Sequence, residues 1–256
     1  MIDLQLLKFS TGNGKLSDRL IFSIPAGYTC PHAGVCKTFA DRTTGKITDL
    51  PQETHSDAQD FRCFAAMSET RPNVRDARWH NWDLLKKTMY TADCCVQGMA
   101  DLIDLSIAVH QEKEMVRIHE SGDFWTEHYM RAWIEVAKRR PSQKFYAYTK
   151  SLGMWISLEH EMPSNFYLTA SWGGTLDHLI SKCRNTFTRI AYVVYTQEQA
   201  DALGLEVDHN DSHCFGNKPF ALLVHAPQRA GSDAMKALMQ RRKDGEFFGY
   251  GKANQK

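Results

Sequence analysis

The hydrophobic residues of the chain form short apolar runs separated by stretches of helical spacing. One run, Leu20–Pro25, lies near the N-terminus, and five more follow residue 110, each succeeded by an amphipathic segment. The predicted later strands are Met115–His119, Lys144–Thr149, Asn165–Ala170, Arg189–Val194 and Lys218–Val224. The predicted helices between and after them are Glu127–Arg139, Met154–Glu161, Leu176–Cys183, Gln197–Leu203 and Ser232–Arg242.

Strands that alternate with helices pair in parallel through right-handed crossovers, which places the chain in the α/β class. Two arrangements fit this alternation: an open doubly wound sheet, or a partial barrel of (β/α) units. In both arrangements ligands bind at the carboxyl ends of the strands. The sequence therefore predicts a functional site at that edge of the sheet.

Two insertions follow the first strand. Residues 37–62 are polar and contain Gly, Pro, Thr and Asp, which predicts a loop. Residues 75–110 have helical apolar spacing in two stretches, which predicts an inserted helical pair. With these insertions, we expect residues 1–256 to form a single barrel-like domain.

The composition is typical of a globular protein, with 43% hydrophobic residues and a net charge of +1. No apolar run is long enough to span a bilayer, and the N-terminus lacks the basic and apolar segments of a secretory signal. We therefore expect a cytoplasmic protein with no membrane partner. The chain has seven cysteines, and in that compartment they are expected to be thiols or metal ligands rather than disulfides.

Three cysteines, Cys30, Cys36 and Cys63, follow the first predicted strand. Thiolates are soft ligands that favour iron–sulfur clusters or zinc. Three thiolates can hold a [4Fe–4S] cluster with one iron open, and His32 would complete a Cys₃His zinc site. The third interpretation is that these cysteines are free thiols that bind no metal. Cys214, in a polar loop before the last strand, is a further candidate ligand, whereas the pair Cys94-Cys95 and Cys183 are expected to be core thiols.

Ionisable and small polar residues follow the predicted strands. They are His119, Glu120, Ser121, Gly122 and Asp123 after the second strand, Thr149 and Lys150 after the third, and Ser171 after the fourth. Glu120 and Asp123 could act as acid and base with His119 as their partner, which gives a hydrolase hypothesis. Strand alternation places Arg117, His119 and Ser121 together on one side of the sheet, the interior in a barrel.

Aromatic residues near the same strand ends support a different hypothesis. Trp125, Tyr146, Tyr148 and Trp172 could stack on bases. The chain would then be a non-catalytic module in which an iron–sulfur or zinc site connects loops that contact nucleic acid or a host protein.

Four motifs give the chain a resemblance to a known family. They are Pro25–Pro31 (Pro-Ala-Gly-x-Thr-Cys-Pro), Cys63–Ala65, Arg117–Phe124 (Arg-Ile-His-x-Ser-Gly-Asp-Phe) and Phe145–Ser151. From about Ile21 to Val224 the chain resembles the phage and plasmid family known as gene product 88. The resemblance implies a phage-type protein, in the host cytoplasm if phage-encoded, and it implies no defined activity.

The order of the motifs is also similar to that of radical S-adenosylmethionine (SAM) enzymes. That similarity implies a partial (β/α)₆ TIM-like barrel in which Cys30, Cys36 and Cys63 hold a [4Fe–4S] cluster. Ser121-Gly122-Asp123 would occupy the place of the SAM-binding glycine motif, with Thr149, Lys150 and Ser171 lining the rest. Five and twenty-six residues separate the three cysteines here, where those enzymes have three and two.

The resemblance implies an enzyme that cleaves SAM to a 5′-deoxyadenosyl radical, which abstracts hydrogen from a substrate. The substrate is not specified by the sequence; a nucleotide or nucleic acid is one class that would fit. The metal-containing binding module and the hydrolase remain as alternatives.

Overall fold

A parallel sheet is the centre of the fold. The computed structural model describes residues 5–11, 16, 18–92, 94–246 and 249. Within those residues the sheet has six strands in the order β1-β4-β5-β6-β7-β8, all pairing in parallel. The strands are β1 (Arg19–Ser23), β4 (Met115–Ser121), β5 (Lys144–Thr149), β6 (Phe166–Ser171), β7 (Ile190–Val194) and β8 (Phe220–Leu223), while β2 (Thr38–Ala40) and β3 (Ile47–Asp49) form a separate hairpin.

Helices connect the strands. Three lie between the hairpin and β4: α1 (Phe64–Ser68), α2 (Pro72–Thr91) and α3 (Cys95–Ala108). The others each follow one strand: α4 (Glu127–Arg139), α5 (Leu152–Leu158), α6 (His178–Lys182), α7 (Gln197–Ala202) and α8 (Asp233–Lys243). None of the helices among the described residues is long and apolar enough to cross a bilayer.

The strand order separates the two predicted α/β arrangements. A doubly wound sheet reverses direction in the middle of its strand order, whereas here the order increases from one edge to the other. Right-handed crossovers that always step in one direction place their helices on the same face of the sheet. The result is a mixed α/β fold with the strand order of (β/α) barrel units. Among the described residues β8 pairs with β7 but not with β1, so the sheet is not closed.

The helix-covered face of the sheet contains the main core. Val116, Ile118 and Phe145 belong to one buried cluster with residues of α3, α4 and α5. Trp133 of α4 is fully buried and packs edge-on against Phe22 of β1, with ring centroids 5.3 Å apart. Burial of such a ring stabilises the fold by roughly 3–5 kcal/mol relative to alanine.

The opposite face, which we call the inner face, is more polar. Strand alternation turns Arg117, Tyr146 and Tyr148 away from the helices. The segment 208–216, which precedes β8, covers the first halves of these strands: Phe215 packs on Tyr146 with ring centroids 5.2 Å apart. Asp211 of the same segment accepts hydrogen bonds from the inner face.

The strands and helices predicted after residue 110 are confirmed, but the predicted loop 37–62 is wrong in one part. It contains the antiparallel hairpin of β2 and β3. Asp41 forms its turn by accepting hydrogen bonds from the backbone N–H groups of Thr43 and Thr44, at 3.1 and 2.7 Å. Strands of three residues are too short to give an alternation signal, which explains the error. The helical pair predicted over 75–110 is present as α2 and α3.

Candidate functional site

The loop after β1 presents two of the three candidate cysteines. Cys30 follows a turn in which Gly27 has φ +74°, and a Cβ on Gly27 would lie 2.3 Å from the Thr38 carbonyl oxygen. Cys36 ends the same segment, where it packs with Val35 beside Phe61. The chain therefore needs glycine at position 27 so that the cysteine loop can lie against the hairpin.

The third cysteine, Cys63, lies immediately before α1 and is brought back to the loop by the hairpin insertion. Arg62 donates to both oxygens of Asp49 in β3, with Nε–Oδ1 at 3.0 Å and Nη2–Oδ2 at 2.5 Å. The Arg62 backbone N–H donates to Gln228 Oε1 at 2.7 Å, which attaches the segment to the chain after β8. The polar insertion therefore has a specific role: it anchors Cys63.

The three thiols interact with one another. Burial raises the pKa of Cys30 well above its usual range, and the neighbouring Asp123 and Cys63 raise it further. Burial also raises the pKa of Cys63 to about 12, with an added effect of Cys36. The three cysteines thus share one partly buried environment at the carboxyl edge of the sheet, and burial keeps the thiols of Cys30 and Cys63 neutral in the metal-free protein.

The donor set of the three cysteines meets some of the requirements for metal binding. Within the part of the chain that the structure describes, no three His, Cys, Asp or Glu side chains already have the arrangement of metal ligands. The chemistry of the donors nevertheless fits a soft metal, because three thiols converge and deprotonate when a metal replaces their protons. The sequence-predicted ligands Cys30, Cys36 and Cys63 are thus brought together without forming a closed site.

The Ser-Gly-Asp and Thr-Lys-Ser motifs bind each other. Asp123 Oδ1 accepts hydrogen bonds from Thr149 Oγ1 at 2.6 Å and from the Phe124 N–H at 2.7 Å. Asp123 Oδ2 accepts from the Lys150 N–H at 2.8 Å. Ser151 Oγ donates to the Phe124 carbonyl at 2.7 Å. These side chains fix the ends of β4 and β5 together.

Burial raises the pKa of Asp123 to about 6, and its hydrogen bonds with Thr149 and Lys150 oppose that rise. Gly122 adopts φ +89°, and a Cβ there would lie 2.3 Å from Ile24 Cγ1. The motif thus requires glycine for backbone conformation and for contact with the chain after β1. Ser171 accepts a hydrogen bond from the Lys150 ammonium at 3.0 Å.

His119 does not point where strand alternation predicted. Between the register pairs Ile21–Arg117 and Ser23–Ser121, β1 advances by two residues and β4 by four, so β4 has a bulge. His119 lies in this bulge at φ +67°, and its Nε2 is 2.9 Å from Tyr129 Oη of α4. The prediction that His119 shares the side of Arg117 was therefore wrong.

The environment of His119 is apolar. Its ring lies 4.7 Å from the Phe124 ring, and burial lowers the pKa of the imidazole to about 3. Its Nδ1 is buried without a hydrogen-bond partner in the described structure. A neutral histidine at the helix-covered face is a core residue with one satisfied nitrogen.

Glu120 and Asp123 lie in different environments. Glu120 lines a surface groove with Ser10 and Arg71, and its Oε2 is 3.9 Å from Arg78 Nη2. Asp123 is buried, and both of its oxygens accept hydrogen bonds. The bulge that turns His119 outward also places Glu120 in that groove.

Glu69 is a buried residue that the sequence did not identify. Its Oε1 accepts hydrogen bonds from the Ala26 N–H at 2.8 Å and from Arg78 Nη1 at 2.9 Å, and from Ser121 Oγ at 3.3 Å. Its Oε2 is buried and has no hydrogen-bond partner among the described residues, and burial raises the pKa of Glu69 despite the Arg78 ion pair. Glu69 also raises the pKa of Cys63, so it borders the cysteine cluster. Only its position six residues after Cys63 could have suggested it.

Cys214 lies away from the other candidate ligands. It is buried in a cluster with Tyr146, Ala191 and Phe220, and its thiol interacts with Tyr148 and Thr169. Cys30, Cys36 and Cys63 follow the carboxyl ends of the strands or dock against them. The largest effects on the pKa of Cys214 come from burial and from Asp211, Tyr148 and Thr169, so the structure places it with the inner-face network and not in the cysteine cluster.

The four aromatic residues proposed to stack on bases do not share one surface. Tyr146 is fully buried and donates a hydrogen bond to Asp211 Oδ2 at 2.9 Å. Trp125 stacks on Tyr129 of α4, and Trp172 packs against Tyr192 of β7. These rings pack within the protein at different places, and stacking on bases stays a prediction.

Comparison with known proteins agrees with the motifs. A family described as Gene product 88 matches residues 5–246. The chain is 28% identical to the Gene 88 protein of Mycobacterium phage D29 over 109 residues, which cover 41% of this chain and 45% of that protein.

It is 29% identical to the Gene 88 protein of Mycobacterium phage L5 over 91 residues, 34% of this chain and 38% of that protein. The chain thus spans less than half the length of these curated relatives, and no solved structure matches it. Because the family match covers nearly all of the described residues, the chain belongs to the gene product 88 family of phage proteins.

Proposed function

We propose that this protein is an iron–sulfur protein in which Cys30, Cys36 and Cys63 hold a [4Fe–4S] cluster, and that it acts as a radical SAM-like enzyme. The observation that carries the proposal is the convergence of three partly buried thiols at the carboxyl edge of a parallel sheet. That edge is where α/β folds bind their ligands.

The surroundings of the thiols support a bound cofactor. Cys30 comes from the loop after β1, and Asp123, at the end of the neighbouring strand β4, is close enough to raise its pKa. Cys63 is fixed from two sides, by the hairpin and by Gln228. A loop held at several points loses less conformational freedom when a metal binds, which favours a preformed site.

The sheet has the strand order of a partial (β/α)₆ barrel, and we propose that it curves as one around the inner face. A cluster with an open iron supplies the single-electron reduction that cleaves SAM. The residues of this chain would hold the cluster, orient the ligand and exclude water. Asp123, Thr149, Lys150 and Ser171 bond to one another, so their contribution is to shape the wall of the site.

The test is anaerobic purification followed by iron and sulfide assays, an absorption spectrum, and detection of 5′-deoxyadenosine after reduction in the presence of SAM. We expect a brown wild-type protein that cleaves SAM, and a Cys30→Ala variant with neither property. Cys183→Ala is the matched control, since Cys183 is a partly buried cysteine at the end of α6. Absence of iron from the wild-type protein would contradict the proposal.

A structural zinc site is the second candidate, because the cysteines connect loops from separate parts of the chain. His32, beside Cys30, would supply the fourth ligand; burial and then Lys37 lower the pKa of its imidazole, which favours the neutral form that binds metal. The same purification distinguishes the two: stoichiometric zinc without sulfide, and no SAM cleavage, would replace the first proposal by a metal-containing binding module.

The hydrolase hypothesis has less support. Glu120 lies in a groove beside Arg71, whereas Asp123 is enclosed by donors from β5. Acid–base catalysis needs both groups within reach of one substrate, and these two belong to different surroundings.

A further inference from the structure

The segment that carries Cys30 and Cys36 is attached to the loop after β6. The Val35 N–H donates to the Gly173 carbonyl at 3.1 Å, and the Thr175 N–H donates to the His32 carbonyl at 3.1 Å. The positions of both cysteines therefore depend on where the turn 171–174 lies.

Lys150 holds one side of that turn. Its buried ammonium donates to the Ser171 carbonyl at 2.8 Å, to Ser171 Oγ at 3.0 Å and to the Trp172 carbonyl at 2.6 Å. A lysine ammonium has three N–H donors, and here each has an acceptor. Lys150 thus has no donor left for a ligand, so its role differs from the direct cofactor contact that its position suggested.

Asp177 holds the other side of the turn. Its buried carboxylate accepts from the Gly173 N–H at 2.7 Å and from the Gly174 N–H at 2.9 Å. Gly173 has φ +92°, a conformation that other residues rarely adopt. The positive Lys150 thus binds the carbonyl oxygens on one side of the turn, and the negative Asp177 binds the N–H groups on the other side.

Lys150 is itself fixed by the end of β4. Its backbone N–H donates to Asp123 Oδ2 at 2.8 Å, and its ammonium charge stabilises the Asp123 carboxylate. A continuous series of hydrogen bonds therefore runs from Asp123 through Lys150 and the turn to the cysteine segment.

We propose that Lys150 and Asp177 are positioning residues that clamp the turn 171–174 from opposite sides and thereby hold Cys30 and Cys36 in the geometry that a metal requires. The consequence for the metal rests on the proposed function. The clamp itself is a property of the metal-free protein.

The test is hydrogen–deuterium exchange of the metal-free protein, followed by mass spectrometry of the peptide that contains residues 30–37. Lys150→Met should accelerate exchange in this peptide by about tenfold or more, since local opening replaces a fixed turn. Lys150→Arg keeps a charged group with several donors and should restore slow exchange. Lys144→Met is the matched control, because Lys144 begins the same strand but is exposed and pairs with Glu114.

A purely global effect would accelerate exchange equally in peptides that contain Arg117 or Asp211, at the other end of the strands. Exchange at residues 30–37 that is unchanged in folded Lys150→Met, or raised no more than at Asp211, would overturn the proposal. If Lys150→Met does not fold, Asp177→Asn tests the same clamp with the same two outcomes.

Iron content separates this inference from the proposed function. With wild-type iron present, Lys150→Met should bind less iron than Lys144→Met. A wild-type protein without iron would overturn the proposed function, and the exchange measurement would still decide the clamp.

Discussion

Buried ionisable residues lie at both ends of the sheet, and their surroundings differ. At the amino end, Arg117 Nη1 is 2.7 Å from Asp211 Oδ2, and the hydroxyls of Tyr146 and Tyr148 donate to the same carboxylate at 2.9 and 3.3 Å. Arg19 Nη1 donates to Tyr146 Oη at 2.7 Å. This end is a buried polar network whose charges neutralise each other within the chain.

At the carboxyl end, three thiols and two acidic residues, Asp123 and Glu69, lie near one another with Lys150 as a neighbouring cation. Burial opposes ionisation of Cys30 and Cys63, and the nearby acids oppose it further, Asp123 at Cys30 and Glu69 at Cys63. Both acids nevertheless have a cation nearby, Arg78 for Glu69 and Lys150 for Asp123. Buried charge is therefore paired within the chain at both ends, and the carboxyl end differs by the buried thiols of Cys30 and Cys63, which lie among these charges and are the candidate metal ligands.

The largest expected difference is between two cysteines with similar pKa. Burial raises the pKa of both Cys63 and Cys214 to about 12, but Cys63 lies beside Cys36 and Glu69 whereas Cys214 lies on the inner face beside Tyr148 and Asp211. Cys63→Ala should lose at least about tenfold in bound iron, as expected when a ligand is removed. Cys214→Ala should retain iron at the wild-type level. Iron assays on both variants check this. Equal loss of iron from both would contradict the distinction between Cys63 as a ligand and Cys214 as a core thiol.

Disruption of the amino-end network should lower the free energy of unfolding without lowering the amount of bound metal. Asp211→Ala leaves the Arg117 guanidinium buried without its main partner, which should lower the free energy of unfolding by about 3–5 kcal/mol. Asp233→Ala is the control, because its ion pair with Lys236 is exposed and contributes little to stability. Urea unfolding measures both. An Asp211→Ala cost as small as that of Asp233→Ala would show that the network is not structural.

The pH dependence of stability should carry the signature of Asp123. Its folded pKa of about 6 lies above the ordinary value of 3.8, so the folded state binds the proton more tightly than the unfolded state. Stability from this group is therefore present below about pH 4 and decreases as pH rises to about 6, by about 3 kcal/mol. Asp123→Asn should lack this decrease in urea unfolding of the metal-free protein between pH 4 and 7.

Asp49 gives a control of opposite sign for that measurement. Burial would raise its pKa, but the Arg62 ion pair outweighs burial and the pKa is lowered. Stability from Asp49 is therefore present above its ordinary pKa and is lost as pH falls through the lower folded value. A wild-type stability that rises from pH 4 to 6 as much as that of Asp123→Asn would refute the assignment for Asp123.

The regular part of the fold could be predicted from the sequence because its signals are long. Strand β5 and helix α4 begin and end where the apolar pattern predicts, and the position of Cys30 follows from its place in the loop after β1. The parallel arrangement puts the carboxyl ends of all strands at one edge of the sheet. The residues that follow the strands could therefore be assigned to this edge before their contacts were known.

Other features depend on contacts that the sequence does not show. The bulge in β4 turns the His119 side chain to the opposite face of the sheet. The alternation of apolar and polar residues does not reveal a bulge of this kind or the positive φ of His119. Glu69 lies at the end of helix α1, where the sequence suggests an exposed glutamate. It is instead buried, and it accepts hydrogen bonds from Ala26 and Arg78. The hydrogen-bond partners of Asp123 and Lys150 come from other parts of the chain and depend on tertiary packing in the same way.

The most direct test of the central claim is the Mössbauer spectrum of protein purified anaerobically from cells grown on ⁵⁷Fe. The account predicts the signal of a [4Fe–4S] cluster in the wild-type protein, retained in Cys214→Ala and absent from Cys63→Ala. A spectrum with no protein-bound iron, or with mononuclear iron that persists when Cys63 is replaced, would contradict it.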